Sequence, residues 1–382
     1  MAQSQPRALV VVGTRPEGIK LAPVVDALRA RGAVDARVAL TGQHTTLIDQ
    51  VLGVFDLRAA WDLGIMREGQ DLYDVAYGCL DGLRGVVGEF RPDLILVQGD
   101  TASVFFGALV GFFERIAVGH VEAGLRSHDK WRPYPEEILR RMTGVVADLH
   151  FAPTRRAREN LLAENVDPAT IYLTGNTVVD AVTRIAAAPH EPRDAALQEV
   201  LASGRRLVLV TAHRRESFGA PLREAFHALR DIADAHEDVV LLYPVHPNPN
   251  VRGPADELLG GHPRIRLGEP LDYLDLLFGL RHAVLTITDS GGIQEEAPSF
   301  GTPVLVLREV TERPEAVEAG MAQLVGTSRE AIVYAAARIL NGGGPHGSVR
   351  NPYGDGRAGE RIADIVVHRL TGAARRTDDW RP

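Results

Sequence analysis

The sequence contains very little cysteine, and its N-terminus has no long hydrophobic run. Cys79 is the only cysteine among 382 residues, which excludes an intrachain disulfide and a metal site built from several thiolates. Its apolar neighbours in a predicted helix indicate a buried thiol that packs as a small hydrophobic residue. The first apolar run, residues 8–12, is too short for a signal-peptide core or a membrane span. We therefore expect a cytoplasmic protein with no membrane partner.

Basic residues are outnumbered by acidic residues, 42 to 50. The net charge of −8 argues against a nucleic-acid partner, because nucleic-acid binders usually present a basic face. Any anion site must therefore be local. Lysine occurs only at Lys20 and Lys130, against forty arginines. Lys20 is notable because it follows a candidate phosphate-binding turn. A hydrophobic content of 45% and a charged content of 24% are ordinary for a globular protein.

Apolar runs alternate with helical patterns twice along the chain, which is long enough for two domains. In the first half, the predicted strands are residues 8–12, 37–40, 93–97, 116–121, 149–152 and 171–173. After a change of composition between residues 186 and 206, the pattern restarts with strands at 207–210, 239–243, 265–267, 283–287 and 304–307. Short turns between alternating strands and helices predict parallel sheets covered on both faces. The fold class is α/β, with two Rossmann-like domains, a boundary near 177–186 and an active-site cleft between them.

The segment 287–297 has the pattern of a phosphate cradle. An apolar strand leads into Ser290-Gly291-Gly292 and then into a helix, so backbone N–H groups at the helix start can face an anion. A tight turn without a ligand is the alternative explanation. Two glutamates, at 295 and 296, and a basic segment at 308–313 favour a sugar nucleotide, with cations for its phosphates and a carboxylate for its ribose.

Other polar residues also follow predicted strands, where ligands bind in parallel sheets. They are Arg15, His44, Asp100, Glu122, His213, His246 and Ser290. Each has a purely structural explanation when taken alone. Asp100, for example, could cap a helix, and Glu136 could complement a helix dipole. Their common placement predicts a ligand cleft but does not define a reaction.

Ten ordered segments resemble the non-hydrolysing UDP-N-acetylglucosamine 2-epimerases, and the resemblance runs from about residue 8 to residue 365. The segments are residues 13–20 (GTRPEGIK), 98–101 (QGDT), 119–126 (GHVEAGLR), 134–137 (YPEE), 174–177 (TGNT), 213–217 (HRRES), 246–250 (HPNPN), 289–297 (DSGGIQEEA), 311–315 (TERPE) and 351–356 (NPYGDG). Ten motifs in order are far more specific than any one glycine turn.

This resemblance implies a GT-B-like pair of Rossmann domains. Residues 1–180 would form the N-terminal domain, joined by a C-terminal helix at 361–382, and residues 181–360 the UDP-binding domain. We expect the polar tail from Ala373 to be frayed. The implied reaction is the reversible conversion of UDP-GlcNAc to UDP-ManNAc, in which UDP is eliminated to give 2-acetamidoglucal and then added back. No metal and no nicotinamide or other cofactor is required, and a homodimer is implied.

The resemblance also assigns site residues. The implied catalytic residues are Asp100, Glu122, Glu136 and His213. The implied UDP- and sugar-binding residues are Arg15, Lys20, His213, Ser290, Gly291, Gly292, Glu296 and Arg313. Candidate positions for an allosteric UDP-GlcNAc are Gln43, His44, Gln70, Arg214 and His246. A helix N-terminus favours an ionised Glu136, so a base or a stabiliser of positive charge suits it better than an acid.

Three alternatives remain from the sequence. A hydrolysing relative would release ManNAc and UDP, and it shares most of these motifs. A retaining GT-B glycosyltransferase would leave the C2 configuration untouched, whereas three carboxylates with a histidine favour proton transfer. A non-catalytic sugar-nucleotide sensor would bind without turnover, although the catalytic set is intact.

Overall fold

The computed structural model describes residues 5–42, 54–67, 69–343 and 350–382. They divide into two compact units. The N-terminal unit comprises Met1–Ala181 and Tyr353–Pro382, and the C-terminal unit comprises Val182–Pro352. Each unit contains one parallel sheet with its helices, so the predicted α/β class with two Rossmann-like domains is confirmed.

The N-terminal unit alternates strands and helices from its start. Its strands are β1 (Arg7–Val12), β2 (Asp35–Leu40), β3 (Ala59–Asp62), β4 (Leu94–Gln98), β5 (Ala117–Val121), β6 (Leu149–Ala152) and β7 (Ile171–Leu173). Its helices include α1 (Arg15–Arg31), α2 (Leu72–Phe90), α3 (Ala102–Phe113), α4 (Glu136–Val146) and α5 (Arg155–Ala163). The next helix, α6 (Thr177–Ala187), contains the division between the units.

The seven strands pair in parallel in the order β3-β2-β1-β4-β5-β6-β7. Consecutive residues of β1 and β4 are buried, as expected for strands with helices on both faces. Leu9 and Val11 of β1 pack with Ile95 and Val97 of β4 in one core. The strand order changes direction between β1 and β4. After β1 the chain adds β2 and β3 on one side of the sheet, and after β4 it adds β5, β6 and β7 on the other side.

Local sequence signals account for the helix boundaries. Pro16 lies in the first turn of α1, and Gly32 ends that helix with a φ of 61°. Asp71 and Asp74 form a capping box at the start of α2, which has 19 residues. Cys79 lies on the inner face of α2 and is fully buried, as predicted. In the part of the chain that the structure describes, no helix is both long and apolar enough to cross a membrane.

The C-terminal unit repeats the architecture. Its strands are β8 (Arg206–Thr211), β9 (Val239–Pro244), β10 (Ile265–Gly268), β11 (Ala283–Thr288), β12 (Val304–Val306) and β13 (Ala322–Leu324). Its helices include α7 (Ala195–Ala202), α8 (Ala220–Ala235), α9 (Pro249–Leu259), α10 (Tyr273–His282), α11 (Gly291–Glu296), α12 (Glu315–Glu318) and α13 (Arg329–Arg338). The parallel order is β10-β9-β8-β11-β12-β13. Here the direction reverses between β8 and β11.

The C-terminal tail differs from the prediction. The last helix, α14 (Ala358–Thr371), ends well before residue 382. The prediction of a frayed tail is wrong, because Trp380 is only 6% exposed and its N–H donates to Leu173 O at 2.7 Å. Asp364 accepts the backbone N–H groups of Arg376 and Thr377 at 2.7 and 2.8 Å. The tail is therefore held by hydrogen bonds against the edge strand β7 and the last helix.

Candidate functional site

The candidate residues of the N-terminal unit gather where the strand order reverses. In open parallel sheets, such a reversal leaves a crevice at the carboxyl ends of the two strands, and ligands bind there. Arg15 follows β1 and Asp100 follows β4, which are direct neighbours in the sheet. Both side chains are partly exposed. The structure therefore brings together two residues that are 85 positions apart in sequence.

Asp100 is held by a buried arginine of α4. Arg140 Nη2 donates to Asp100 Oδ2 at 2.5 Å, and Arg140 Nη1 donates to Glu137 Oε2 at 3.2 Å. The side chain of Arg140 is 4% exposed, whereas that of Asp100 is 26% exposed. The guanidinium thus fixes one oxygen of a carboxylate that solvent or a ligand can reach. Sequence reasoning missed Arg140, and the only signal for it was its spacing of one helical turn from Glu136 and Glu137.

Glu136 is the first residue of α4 and is partly buried. It lies one helical turn before Arg140, the residue that holds Asp100. The neighbouring Glu137 accepts the backbone N–H groups of Ser127 and His128, at 3.0 and 3.3 Å. The start of α4 therefore anchors the preceding loop through Glu137 and places the carboxylate of Glu136 beside it in the same turn.

Glu122 directly follows β5 and has a strained backbone conformation. Its φ is 65°, which is uncommon for a residue with a long side chain and is often seen at functional sites. Lys20 Nζ and Gln98 Nε2 both donate to Glu122 Oε2, at 2.5 and 2.6 Å. Glu122 is 8% exposed and Lys20 is 6% exposed. The structure thus pairs the predicted catalytic glutamate with the predicted lysine, and it adds Gln98, which had no signal in the sequence beyond its place in a motif.

His120 supports the turn that carries Asp100. Its Nε2 lies 2.8 Å from Gly99 O, and since a carbonyl only accepts, this nitrogen carries the proton. Burial lowers the pKa of His120 to about 3, so the ring stays neutral at neutral pH. Gly99 has a φ of 86°, which suits glycine. His120 is therefore a structural support next to Glu122.

In the C-terminal unit, His213 follows β8 and Asp289 follows β11, again at the reversal of strand order. The backbone N–H groups of His213 and Arg214 donate to Asp289 Oδ2 at 2.6 and 2.7 Å. His213 Nδ1 lies 3.3 Å from Asp289 Oδ1. Asp289 is 1% exposed, while 40% of the His213 side chain is exposed. A buried carboxylate thus anchors the backbone that carries an accessible imidazole.

The Ser290-Gly291-Gly292 turn packs closely against Arg313. A Cβ atom on Gly291 would lie 2.6 Å from Arg313 Nη1, so only glycine leaves room for this guanidinium. Arg313 Nε donates to Glu295 Oε1 at 2.6 Å, and its Nη1 also bonds Glu312. Glu295 was noted in the sequence beside the glycine turn, whereas Glu312 was not singled out. Together they fix the arginine over the glycine turn.

Glu296 is buried at the end of α11. Tyr273 donates its phenolic hydrogen to Glu296 Oε1 at 3.0 Å, and Glu296 is 7% exposed. The tyrosine comes from α10, so its contact with Glu296 depends on tertiary packing and could not be predicted from sequence spacing.

The structure describes three of the five candidate allosteric residues, Gln70, Arg214 and His246. Gln43 and His44 lie outside the described residues. Gln70 accepts the N–H of Arg67 at 2.5 Å in the N-terminal unit. His246 stacks on His213 with ring centroids 5.5 Å apart and an angle of 12°. Burial and the neighbouring His213 lower the pKa of His246. Arg214 and His246 are thus both adjacent to His213.

Comparison with known proteins gives a consistent result. A sequence profile of the UDP-N-acetylglucosamine 2-epimerase family matches residues 26–367. The UDP-N-acetylglucosamine 2-epimerase of Yersinia pestis is 48% identical over 374 residues, which cover 96% of this chain and 100% of the relative. The Neisseria meningitidis UDP-GlcNAc 2-epimerase, crystallised with UDP-GlcNAc, is 36% identical with a TM-score of 0.86, covering 96% of this chain and 100% of that one.

A more distant structure shares the fold alone. The glycotransferase of kitacinnamycin is 15% identical with a TM-score of 0.59, over 96% of this chain and 100% of that one. The two parallel α/β domains are thus GT-B-like, as predicted. The family match, by contrast, rests on nearly the full length of the chain. The chain belongs to the UDP-N-acetylglucosamine 2-epimerase family.

Proposed function

We propose that this protein interconverts UDP-GlcNAc and UDP-ManNAc by eliminating UDP and adding it back through 2-acetamidoglucal. The observation that carries the proposal is the pair of anchored carboxylates in the N-terminal unit. Asp100 is fixed by Arg140 at 2.5 Å and Glu122 by Lys20 at 2.5 Å. Membership of the epimerase family supports the nucleotide sugar as substrate.

The chemistry requires such anchored groups. In the first step a base takes the proton from C2, a double bond forms between C1 and C2, and the C1–O bond breaks with its electron pair leaving on UDP. The C2 proton is weakly acidic, so the base must be positioned and the leaving diphosphate stabilised. In the second step an acid delivers a proton to the other face of C2, the double bond is lost, and an oxygen of the UDP diphosphate forms the new bond to C1. The balance includes no oxidation, so no redox cofactor is needed.

We assign proton transfer at C2 to Asp100, Glu122 and Glu136, with His213 as a further acid–base group. Lys20 supports Glu122 by charge. All four catalytic candidates follow strands or begin a helix, so the scaffold positions them rigidly.

We assign the UDP to the C-terminal unit's glycine turn. The Ser290 hydroxyl, the backbone N–H groups of Gly291 and Gly292 and the guanidinium of Arg313 suit the diphosphate, and Glu296 suits the ribose hydroxyls. Arg15 and His213 complete the set for the diphosphate. Arg214 and His246, beside His213, fit a second UDP-GlcNAc that would activate the enzyme.

Replacing Arg313 by alanine is expected to weaken UDP binding roughly 10- to 100-fold, because a charge-assisted hydrogen bond contributes about 1.5–3 kcal/mol. Isothermal titration with UDP measures the change. Arg329→Ala is the matched control, since Arg329 pairs with Asp231 on the surface of the same unit. An Arg313→Ala variant that is folded and keeps the wild-type affinity for UDP would remove Arg313 from the phosphate site.

The reaction products distinguish this proposal from its rivals. With UDP-GlcNAc as substrate, phosphorus and proton NMR should show UDP-ManNAc rising to an equilibrium while free UDP stays at a trace level. Stoichiometric UDP and ManNAc would instead establish the hydrolysing reaction. Binding without any product would favour a sensor, and turnover only after addition of an acceptor would favour a glycosyltransferase.

We also propose that the N-terminal unit forms a homodimer through the outer face of α2, α3 and α4. These helices pack side by side, and each exposes large apolar side chains, an unusual concentration for a solvent-facing surface. The residues are Tyr73, Tyr77, Phe112, Phe113, Met142 and Val145.

The dimer proposal predicts that Tyr77→Asp will halve the mass measured by light scattering. Tyr77 is 78% exposed, and a charge placed in an apolar interface opposes association. Tyr334→Asp is a matched control, because Tyr334 is 74% exposed in the C-terminal unit. A monomeric wild-type protein, or a dimer unaffected by Tyr77→Asp, would contradict this interface.

A further inference from the structure

Glu17 is a buried carboxylate to which no catalytic or binding role has been assigned. It lies in the first turn of α1 and is 2% exposed. It accepts three hydrogen bonds: Gly13 N at 2.6 Å on Oε2, and the hydroxyls of Thr14 and Thr101, both at 2.8 Å, on Oε1. Burial raises the pKa of Glu17 to about 7 despite these three donors. Burying a carboxylate is costly unless hydrogen bonds compensate, and at Glu17 these three donors do so in part.

The three donors belong to the two loops of the N-terminal candidate site. Gly13 and Thr14 directly precede Arg15, and Thr101 directly follows Asp100. One carboxylate thus joins the loop after β1 to the loop after β4, the two strands between which the sheet order reverses.

The two threonines do not serve as ordinary helix caps. Thr14 precedes α1 and Thr101 precedes α3 at the N-cap position, yet neither side chain bonds the backbone of its own helix. A threonine there usually accepts a hydrogen bond from the first turn. Within the described residues, both hydroxyls are instead used on Glu17.

Close packing reinforces the connection between the loops. A Cβ atom on Gly13 would lie 2.5 Å from the Cβ and Oγ atoms of Ser103, in the first turn of α3, and 3.1 Å from Glu17 Oε2. The Ser103 hydroxyl in turn lies 2.8 Å from Thr41 Oγ1, just after β2. The loop after β1 therefore lies directly against the start of α3, and only glycine at position 13 permits this approach.

We propose that Glu17 is a positioning residue that fixes the spacing between Arg15 and Asp100 by holding Gly13, Thr14 and Thr101 together. The inference rests on the proposed function, which assigns Arg15 to the leaving diphosphate and Asp100 to proton transfer at C2. Proton removal and loss of UDP occur together, so both groups must be in place at once. A displacement of about 1 Å in such a pair can cost on the order of 10²-fold in rate.

Thr101→Val tests the connection of the two loops through Glu17 with little change of shape, because valine matches the volume of threonine and removes only the hydroxyl. We expect kcat to fall at least ~10-fold, with KM and the melting temperature nearly unchanged. Thr101→Ser restores the hydroxyl and should recover most of kcat. Adding Glu17→Ala to Thr101→Val should reduce kcat by less than the product of the two single effects. A Thr101→Val enzyme with wild-type kcat would overturn the proposal.

Hydrogen–deuterium exchange tests the same coupling without reference to turnover. In Thr101→Val, amide exchange should accelerate in residues 13–15 as well as in residues 99–102, although the two segments are far apart in sequence. Faster exchange in residues 99–102 alone would show that Glu17 does not connect the two loops. If the wild-type protein fails to epimerise UDP-GlcNAc, the proposed function is refuted, and the exchange experiment still decides whether Glu17 joins the two loops.

Discussion

Asp100→Asn is expected to lower kcat at least ~10²-fold while UDP binding stays unchanged, because an amide cannot accept the C2 proton. Asparagine keeps the shape of the side chain and leaves an oxygen that can accept from Arg140, which now bonds Asp100 Oδ2 at 2.5 Å. The fold and the UDP site in the other unit should therefore be retained. Steady-state kinetics, with titration of UDP, measures both quantities.

Asp35→Asn is the matched control for this prediction. Asp35 lies at the start of β2, at the opposite end of the strands from Asp100, and pairs only with the exposed Arg37 among the described residues. Such a surface pair contributes little, so kcat should not change. An Asp100→Asn enzyme with wild-type turnover would remove Asp100 from the mechanism.

Glu122→Gln is expected to lower kcat by at least ~10²-fold as well, and also to destabilise the fold. The substitution removes the negative charge that Lys20 contacts at 2.5 Å in a site where both side chains are less than 10% exposed. Removing one partner of a buried ion pair costs up to about 3–5 kcal/mol. Thermal unfolding and kinetics of the same preparation record both effects.

The double variant Lys20→Met with Glu122→Gln separates the loss of the acid–base group from the loss of the buried ion pair. It removes the unbalanced charge, so the melting temperature should recover relative to Glu122→Gln alone. Turnover should stay low, because the acid–base group is still missing. Recovery of turnover in the double variant would show that Glu122 serves only to balance Lys20.

Eleven of the thirteen strands in the described residues could be predicted from the sequence, because each is a short apolar run followed by a turn. The edge strands β3 and β13 were not predicted, because they are short and only partly buried. Placing Arg15, Asp100, His213 and Ser290 after strands required no more than that pattern. The order of the strands could not be predicted, since hydrophobic periodicity does not encode which strands pair. In each unit, the reversal of strand order, at β1/β4 or at β8/β11, brings together two loops that are distant in sequence.

The partners of the catalytic candidates were also beyond prediction. Arg140 lies 40 residues from Asp100 and Lys20 lies 102 residues from Glu122. Glu17 has the sequence pattern of an ordinary acidic residue in a first helical turn, and only the structure shows that it is buried. The tail was misjudged for a similar reason. Its polar composition indicates fraying, but backbone hydrogen bonds to Asp364 and Leu173 hold it.

The most direct test of the central claim is proton NMR of the enzyme with UDP-GlcNAc in deuterated water. Removal and return of the C2 proton predict UDP-ManNAc carrying deuterium at C2, with exchange at the same position in the recovered UDP-GlcNAc. The Asp100→Asn enzyme should show neither within the same time. Conversion to UDP-ManNAc with hydrogen retained at C2, or no conversion by an enzyme that binds UDP, would contradict the account.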